Sequence, residues 1–182
     1  MSRQDLPVTS YALLGLLTFG DELTGYELKQ RADRTLRFYW VAPAMSQVYS
    51  ELARLTEHGL VTPGGEGRRT TYAITDAGRE ALRTWLEDTP VGSPVFKHPV
   101  ALRLLVGHLV APETTVAMIR EHLETLDEQL AALAEVRESL RGSDAPGEAF
   151  RYPSLVADWG LEHYGQERRS LSDLAHRIEQ QD

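Results

Sequence analysis

The chain has 182 residues, with 27 acidic and 19 basic side chains and a formal net charge of −8. Hydrophobic residues make up 42% and charged residues 25%, the composition of a folded domain able to bury a core. With no cysteine, a disulfide scaffold, a thiolate metal centre and a Cys nucleophile are excluded.

The most apolar early stretch, 11–19, is too short to span a bilayer. The N-terminus lacks the basic, apolar, small-residue order of a signal peptide, so a cytoplasmic protein with no membrane partner is expected. The charge is uneven. Residues 24–72 carry seven basic side chains against five acidic ones, whereas 91–182 carry nine against fifteen. A polyanion responds to the face presented to it, so the acidic total does not exclude nucleic acid.

Thr9 or Ser10 is placed to cap a first helix over 11–19, ended by Gly20. Thr24-Gly25-Tyr26-Glu27 reads as a capping box opening a second helix to about residue 36. A bulky connector, 38–41, leads to a third helix over 45–58, in which Val48, Leu52 and Leu55 share one face. Gly59 sits where a C′ glycine belongs. Two β-prone runs, 60–62 and 68–74, flank a Gly-rich turn and predict a hairpin. Thr75 or Asp76 caps a fourth helix to about residue 87.

Residues 90–94 form the candidate linker. Beyond it the chain reads as helical: 98–109, a long helix over 112–140, a loop over 142–147, and a last helix over 154–180. In the long helix Val116, Ile119, Leu123, Leu126, Leu130, Leu133 and Leu140 recur in steps of three and four, interrupted at Arg137. Such a seam calls for a helical partner, and a second copy of the chain is the expected one. Leu155, Trp159, Leu171, Leu174 and Ile178 are expected to face inward on the last helix. For Trp40 and Trp85 core filling is the simpler reading.

Three helices followed by a hairpin are the order of a winged helix-turn-helix. Ser46, Gln47, Tyr49 and Ser50 point away from the third helix's apolar face, at the end that enters a major groove. Gln can pair bidentately with adenine, and Ser and Tyr can reach phosphates. Arg68, Arg69 and Thr70 edge the hairpin, Arg54 lies further along the third helix, and Lys29 lies on the second; all are candidate DNA contacts. The expected fold is mainly α: a winged helix-turn-helix with a two-stranded wing over 1–89, then an all-helical dimerisation domain over 95–182.

Three segments carry a family resemblance. Tyr11-Ala-Leu-Leu-Gly-Leu-Leu with Thr24-Gly-Tyr-Glu-Leu is the first. Val48-Tyr-Ser-Glu-Leu-Ala-Arg-Leu-Thr-Glu-His-Gly-Leu-Val is the second, and Arg69-Thr-Thr-Tyr-Ala-Ile-Thr-Asp-Ala-Gly the third. Together they span about residues 9–88 and resemble the PadR family of transcriptional regulators. That family often has proline after the recognition-helix tyrosine, where this chain has Ser50. The resemblance implies a homodimer on a palindromic operator in double-stranded DNA, acting as a repressor that a small molecule releases. It also implies an aromatic effector site, for which Trp159 and His163 are candidates, with Phe96 and Tyr152 weaker.

No catalytic residue, cofactor or metal is expected. Nucleophile-elbow, Walker and dinucleotide-binding motifs are absent, and the six histidines form no short metal signature. A winged-helix protein-interaction module without DNA binding is the alternative, favoured by the net charge; a small-molecule enzyme or binding protein has only the aromatic set of the helical half behind it.

Overall fold

The computed structural model describes residues 6–20, 22–65, 69–93 and 97–180. They fall into two compact units, Met1–Gly92 and Ser93–Asp182.

In the first unit, α1 (Val8–Leu16) continues through a 3-10 turn to a two-residue strand, β1 (Leu23–Thr24). Then follow α2 (Gly25–Thr35), α3 (Met45–Glu57), β2 (Val61–Gly64), β3 (Thr71–Ile74) and α4 (Asp76–Asp88). Leu13 and Leu14 of α1, Leu28 of α2, and Val48, Leu52 and Leu55 of α3 are completely buried. Each such side chain contributes roughly 1.5–3 kcal/mol by leaving water, so the three helices hold one another in place.

The capping box opens α2 as the sequence predicts. The Thr24 hydroxyl accepts the Glu27 N–H at 3.2 Å, and the Glu27 carboxylate accepts the Thr24 N–H at 2.9 Å. Gly59, at φ 68°, ends α3 in the left-handed region. The start of α1 differs from expectation. Its N-cap is Pro7, and Ser10 is buried inside the helix, where its hydroxyl donates to Glu51 of α3. Burial of the flanking leucines drew Ser10 inward, and a carboxylate across the core satisfies it.

The wing has three strands, in the order β1-β3-β2. β2 and β3 pair antiparallel, Val61 opposite Ile74 and Gly64 opposite Thr71; β1 adds to the other edge of β3, Leu23 opposite Tyr72. Trp85 of α4 stacks on Tyr11 of α1 at 4.9 Å with planes 10° apart, while Trp40 is 56% exposed and fills no core position.

The second unit holds α5 (Pro99–Leu104), a 3-10 turn (Gly107–Leu109), α6 (Pro112–Ser139) and α7 (Arg151–Glu179). The single helix expected over 98–109 stops at Leu104. Gly107 and the β-branched Val106 and Val110 are poor continuations, and His98 and the turn at Gly107 bound a shorter element. Cross-helix ion pairs fix the sense of α6 against α7: Arg120 with Glu179, Arg168 with Asp127, Arg137 with Asp158. Partner numbers fall as residue numbers rise, so the two helices run antiparallel.

Two expectations change here. Val116, Ile119, Leu126 and Leu133 of the α6 seam are buried within the single chain, and the first three share a core with Leu171 and Ala175 of α7. These four need no second copy to cover them, while Leu123, Leu130 and Leu140 of the seam stay partly exposed. Arg137, the break in the seam, binds Asp158 at 2.7 Å and Asp144 at 3.2 Å. On α7 the buried stripe near the start is made of Ser154, Ala157 and Gly160, whose small size permits close helix approach; Leu155 and Trp159 are exposed instead. Among the described residues, no helix is long and apolar enough to cross a membrane.

Candidate nucleic-acid interface

The first unit presents the N-terminal half of α3 to solvent. Ser46, Gln47, Tyr49, Ser50 and Arg54 are exposed while Val48, Leu52 and Leu55 anchor the opposite face. The spacing that buries every third or fourth residue necessarily turns these five outward.

Their local bonding is more committed than a bare polar face. Ala44 has no side-chain oxygen to cap α3, so only the reciprocal half of a capping box forms: Gln47 Oε1 accepts the Ala44 N–H at 2.9 Å. Bidentate contact with adenine would require Gln47 to release that bond. The Ser50 hydroxyl donates back to the Gln47 carbonyl at 2.9 Å. Tyr49 leans over the start of α2: a Cβ at Gly25 would lie 2.6 Å from its Cε1.

The wing lies beside this face because β1 runs directly into α2. Arg69, whose side chain is 68% exposed, forms an ion pair with Glu27 in the first turn of α2. The Thr71 hydroxyl donates to Glu22 at 3.0 Å. Gly65, at φ 99°, lets the strand turn; a Cβ there would lie 2.2 Å from the Arg69 carbonyl. Thr70 is exposed, and Arg68 lies outside the described residues.

The basic candidates have acidic neighbours. Lys29 pairs with Asp33 one turn on, leaving its side chain 20% exposed, and Arg54 sits 3.6 Å from Glu51. With Arg69 bound to Glu27, phosphate contact at these positions exchanges one anion for another and adds less net charge neutralisation than a bare cation would. The Thr24 backbone N–H, then its hydroxyl, then Arg69, favour the charged Glu27 and hold its carboxyl below the ordinary 4.5.

In the second unit, Trp159 and His163 stand one turn apart on α7 and stack at 5.4 Å with planes 12° apart. Tyr164 meets the His163 ring edge-on at 5.9 Å. Trp159 is 58% exposed, so the pair forms an aromatic shelf on the surface. Phe96 lies outside the described residues; Tyr152 is exposed.

The sequence spacing gave no sign of one cluster. His98, His122 and Glu167, on α5, α6 and α7, bring three metal-ligating atoms within 4.8 Å of one another. They lie 24 and 45 positions apart in the chain, so only the helix packing brings them together.

Comparison with known proteins matches residues 13–84 to the transcriptional regulator PadR-like family and residues 96–177 to the family described as virulence activator alpha C-term. The chain is 30% identical over 145 residues to the negative transcriptional regulator PadR of Bacillus subtilis, covering 76% of this chain and 78% of that protein. It is similar to the solved structure of Bacillus subtilis PadR in complex with operator DNA, with a TM-score of 0.79, 25% identity, and coverage of 94% of this chain and 99% of that one. The structure of the same regulator in complex with p-coumaric acid aligns with a TM-score of 0.77 and 25% identity, over 95% and 99% of the two chains.

Proposed function

The chain belongs to the PadR-like family of transcriptional regulators, and from that premise we propose that it is a homodimeric repressor that binds a palindromic operator and is released by an aromatic small molecule. The observation that carries this reading is the exposed N-terminal half of α3 with the wing tied beside it through Arg69 and Glu27.

In this account residues 1–89 are the DNA-binding part. Ser46, Gln47, Tyr49, Ser50 and Arg54 face base edges and flanking phosphates, and Lys29, Arg68, Arg69 and Thr70 hold the backbone. Residues 95–182 mediate dimerisation. The most exposed apolar surface left to cover is Leu102, Leu105, Val106, Leu109 and Val110, all at least half exposed, beyond the partly exposed Leu123, Leu130 and Leu140 of the α6 seam. Five such neighbours on a short stretch are a strong incentive to self-association. Two-fold symmetry then places the α3 helices on half-sites about one helical turn, roughly 34–36 Å, apart. Work on a duplex keeps the expectation of a cytoplasmic site.

The effector reading rests on the Trp159–His163 shelf, which offers a planar aromatic acid a stacking surface; Bacillus subtilis PadR was solved with such an acid bound. The repressing sign follows the name of that relative, a negative regulator. Binding of an aromatic acid should quench tryptophan fluorescence in the parent and not in Trp159→Phe; equal quenching in both would remove the shelf from the account.

A protein-interaction module without DNA binding is the second reading, and the acid partners of Lys29, Arg54 and Arg69 favour it. Binding to random duplex at low salt separates the two, because a DNA-binding regulator retains weak nonspecific affinity there.

A further inference from the structure

We propose that His98, His122 and Glu167 form a binding site for a borderline divalent transition-metal ion such as Zn2+.

The donors come from three helices of the second unit and converge on a protected spot. Their side chains are only 12%, 21% and 22% exposed. Glu167 Oε1 lies 2.7 Å from His98 Nε2 and 3.4 Å from His122 Nε2. A tetrahedral ion with ligands at about 2.0–2.2 Å spaces its donors by roughly 3.3 Å. The His122–Glu167 separation already meets that spacing, and the His98–Glu167 contact has to open by roughly half an ångström. Two imidazoles with one carboxylate select Zn2+, Co2+, Ni2+ or Cu2+ over the hard ions Mg2+ and Ca2+.

The surroundings fit a cation. Arg168, next to Glu167, is bound to Asp127 and so does not compensate the Glu167 carboxylate. A cleft of about 190 Å³ reaches the cluster at His122, lined also by Pro99, Val100, Arg103 and Glu121, so solvent lies on one side of the site.

Two hydrogen bonds of His98 give way to the ion and mark what binding changes. His98 Nδ1 accepts the Ala101 N–H at 3.2 Å, the cap of α5, so Nε2 carries the ring proton and donates it to Glu167. An ion at Nε2 moves that proton to Nδ1, and α5 loses its cap bond while gaining a metal tie to α6 and α7. Metal uptake therefore exchanges a helix cap for a three-helix clamp.

The test is isothermal titration of the chelator-treated full chain with Zn2+, with Co2+ absorption as a second probe. One ion per chain is expected, weakened at least about tenfold by His122→Ala and by Glu167→Gln. The glutamine carbonyl can still accept from His98, so Glu167→Gln keeps the helices tied; circular dichroism checks that it folds. His176→Ala, which removes the surface histidine 3.4 Å from Glu179, should bind as the parent does. No uptake by the parent leaves the cluster a hydrogen-bonded clasp and overturns the proposal. So does unchanged uptake in either ligand variant, or loss in His176→Ala.

Discussion

The ring of Tyr49 on α3 rests against Gly25, the first residue of α2, so closely that a Cβ at position 25 would lie 2.6 Å from Cε1 and 2.9 Å from Cζ. The contact sets where an exposed aromatic of the reading helix points. Gly25→Ala should swing the ring outward, because Tyr49 is half exposed and has room to move. Gly25 has ordinary helical backbone angles that alanine adopts, so thermal stability should change little. Operator affinity, measured by fluorescence anisotropy, should fall while the melting temperature holds. A large drop in both would mean that Gly25 serves the core, not the reading face.

The buried Ser10–Glu51 bond joins α1 to the middle of α3. Ser10→Ala strips a buried carboxylate of a donor, which costs about 1–3 kcal/mol. Urea unfolding measures it. A change within about 0.5 kcal/mol, the range of an ordinary surface substitution, would show that water replaces the serine there.

Acid should loosen the wing's anchor. Glu27 has its carboxyl held below 4.5 by Thr24 and then Arg69, so in that range the unfolded chain binds more protons than the folded one. The stabilisation is complete above about pH 4.5 and is lost as pH falls through the lowered folded value. Thr24→Ala removes the hydroxyl part of that preference and should flatten the acid limb of stability against pH. An acid limb identical to the parent's would assign the slope to other carboxylates, of which Asp127 and Asp144 are also held low, by Arg168 and by Ser154.

Within the helical hairpin, burial separates structural from functional positions. Leu126 is 2% exposed and Trp159 58%. Leu126→Ala should cost about 2–5 kcal/mol. Trp159→Ala should leave unfolding of the isolated chain nearly unchanged and abolish quenching by an aromatic acid. Comparable destabilisation by both would place Trp159 in a covered interface.

Legibility in the sequence followed the range of the interactions. The Thr24–Glu27 box and the Val48, Leu52, Leu55 stripe are local, governed by spacings of three and four, and both stand in the structure. β1 was not legible, because two residues show no alternation and Leu23 becomes a strand only by pairing with Tyr72. Ser10 carries the residue type of a cap, yet long-range burial against Glu51 took it. On α7 the pattern pointed Leu155 and Trp159 inward, but Ala157 and Gly160 allow a closer packing than large residues would. Gln47 was legible as exposed but not as half of a capping box, since Ala44, unlike Thr24, is not the residue type that announces one.

The central claim is that α3 and the wing bind duplex DNA as one surface, and salt-dependent anisotropy with a palindromic operator and a scrambled duplex tests it most directly. The account predicts that log affinity falls linearly with log salt, with a slope of about −0.9 per phosphate contacted. Arg69→Ala should weaken both duplexes alike and make the slope shallower, by less than the one unit of a bare cation because Glu27 already pairs with it, and Gln47→Ala should narrow the gap between them. A chain that binds neither duplex at low salt, or whose binding is untouched by both substitutions, would contradict it.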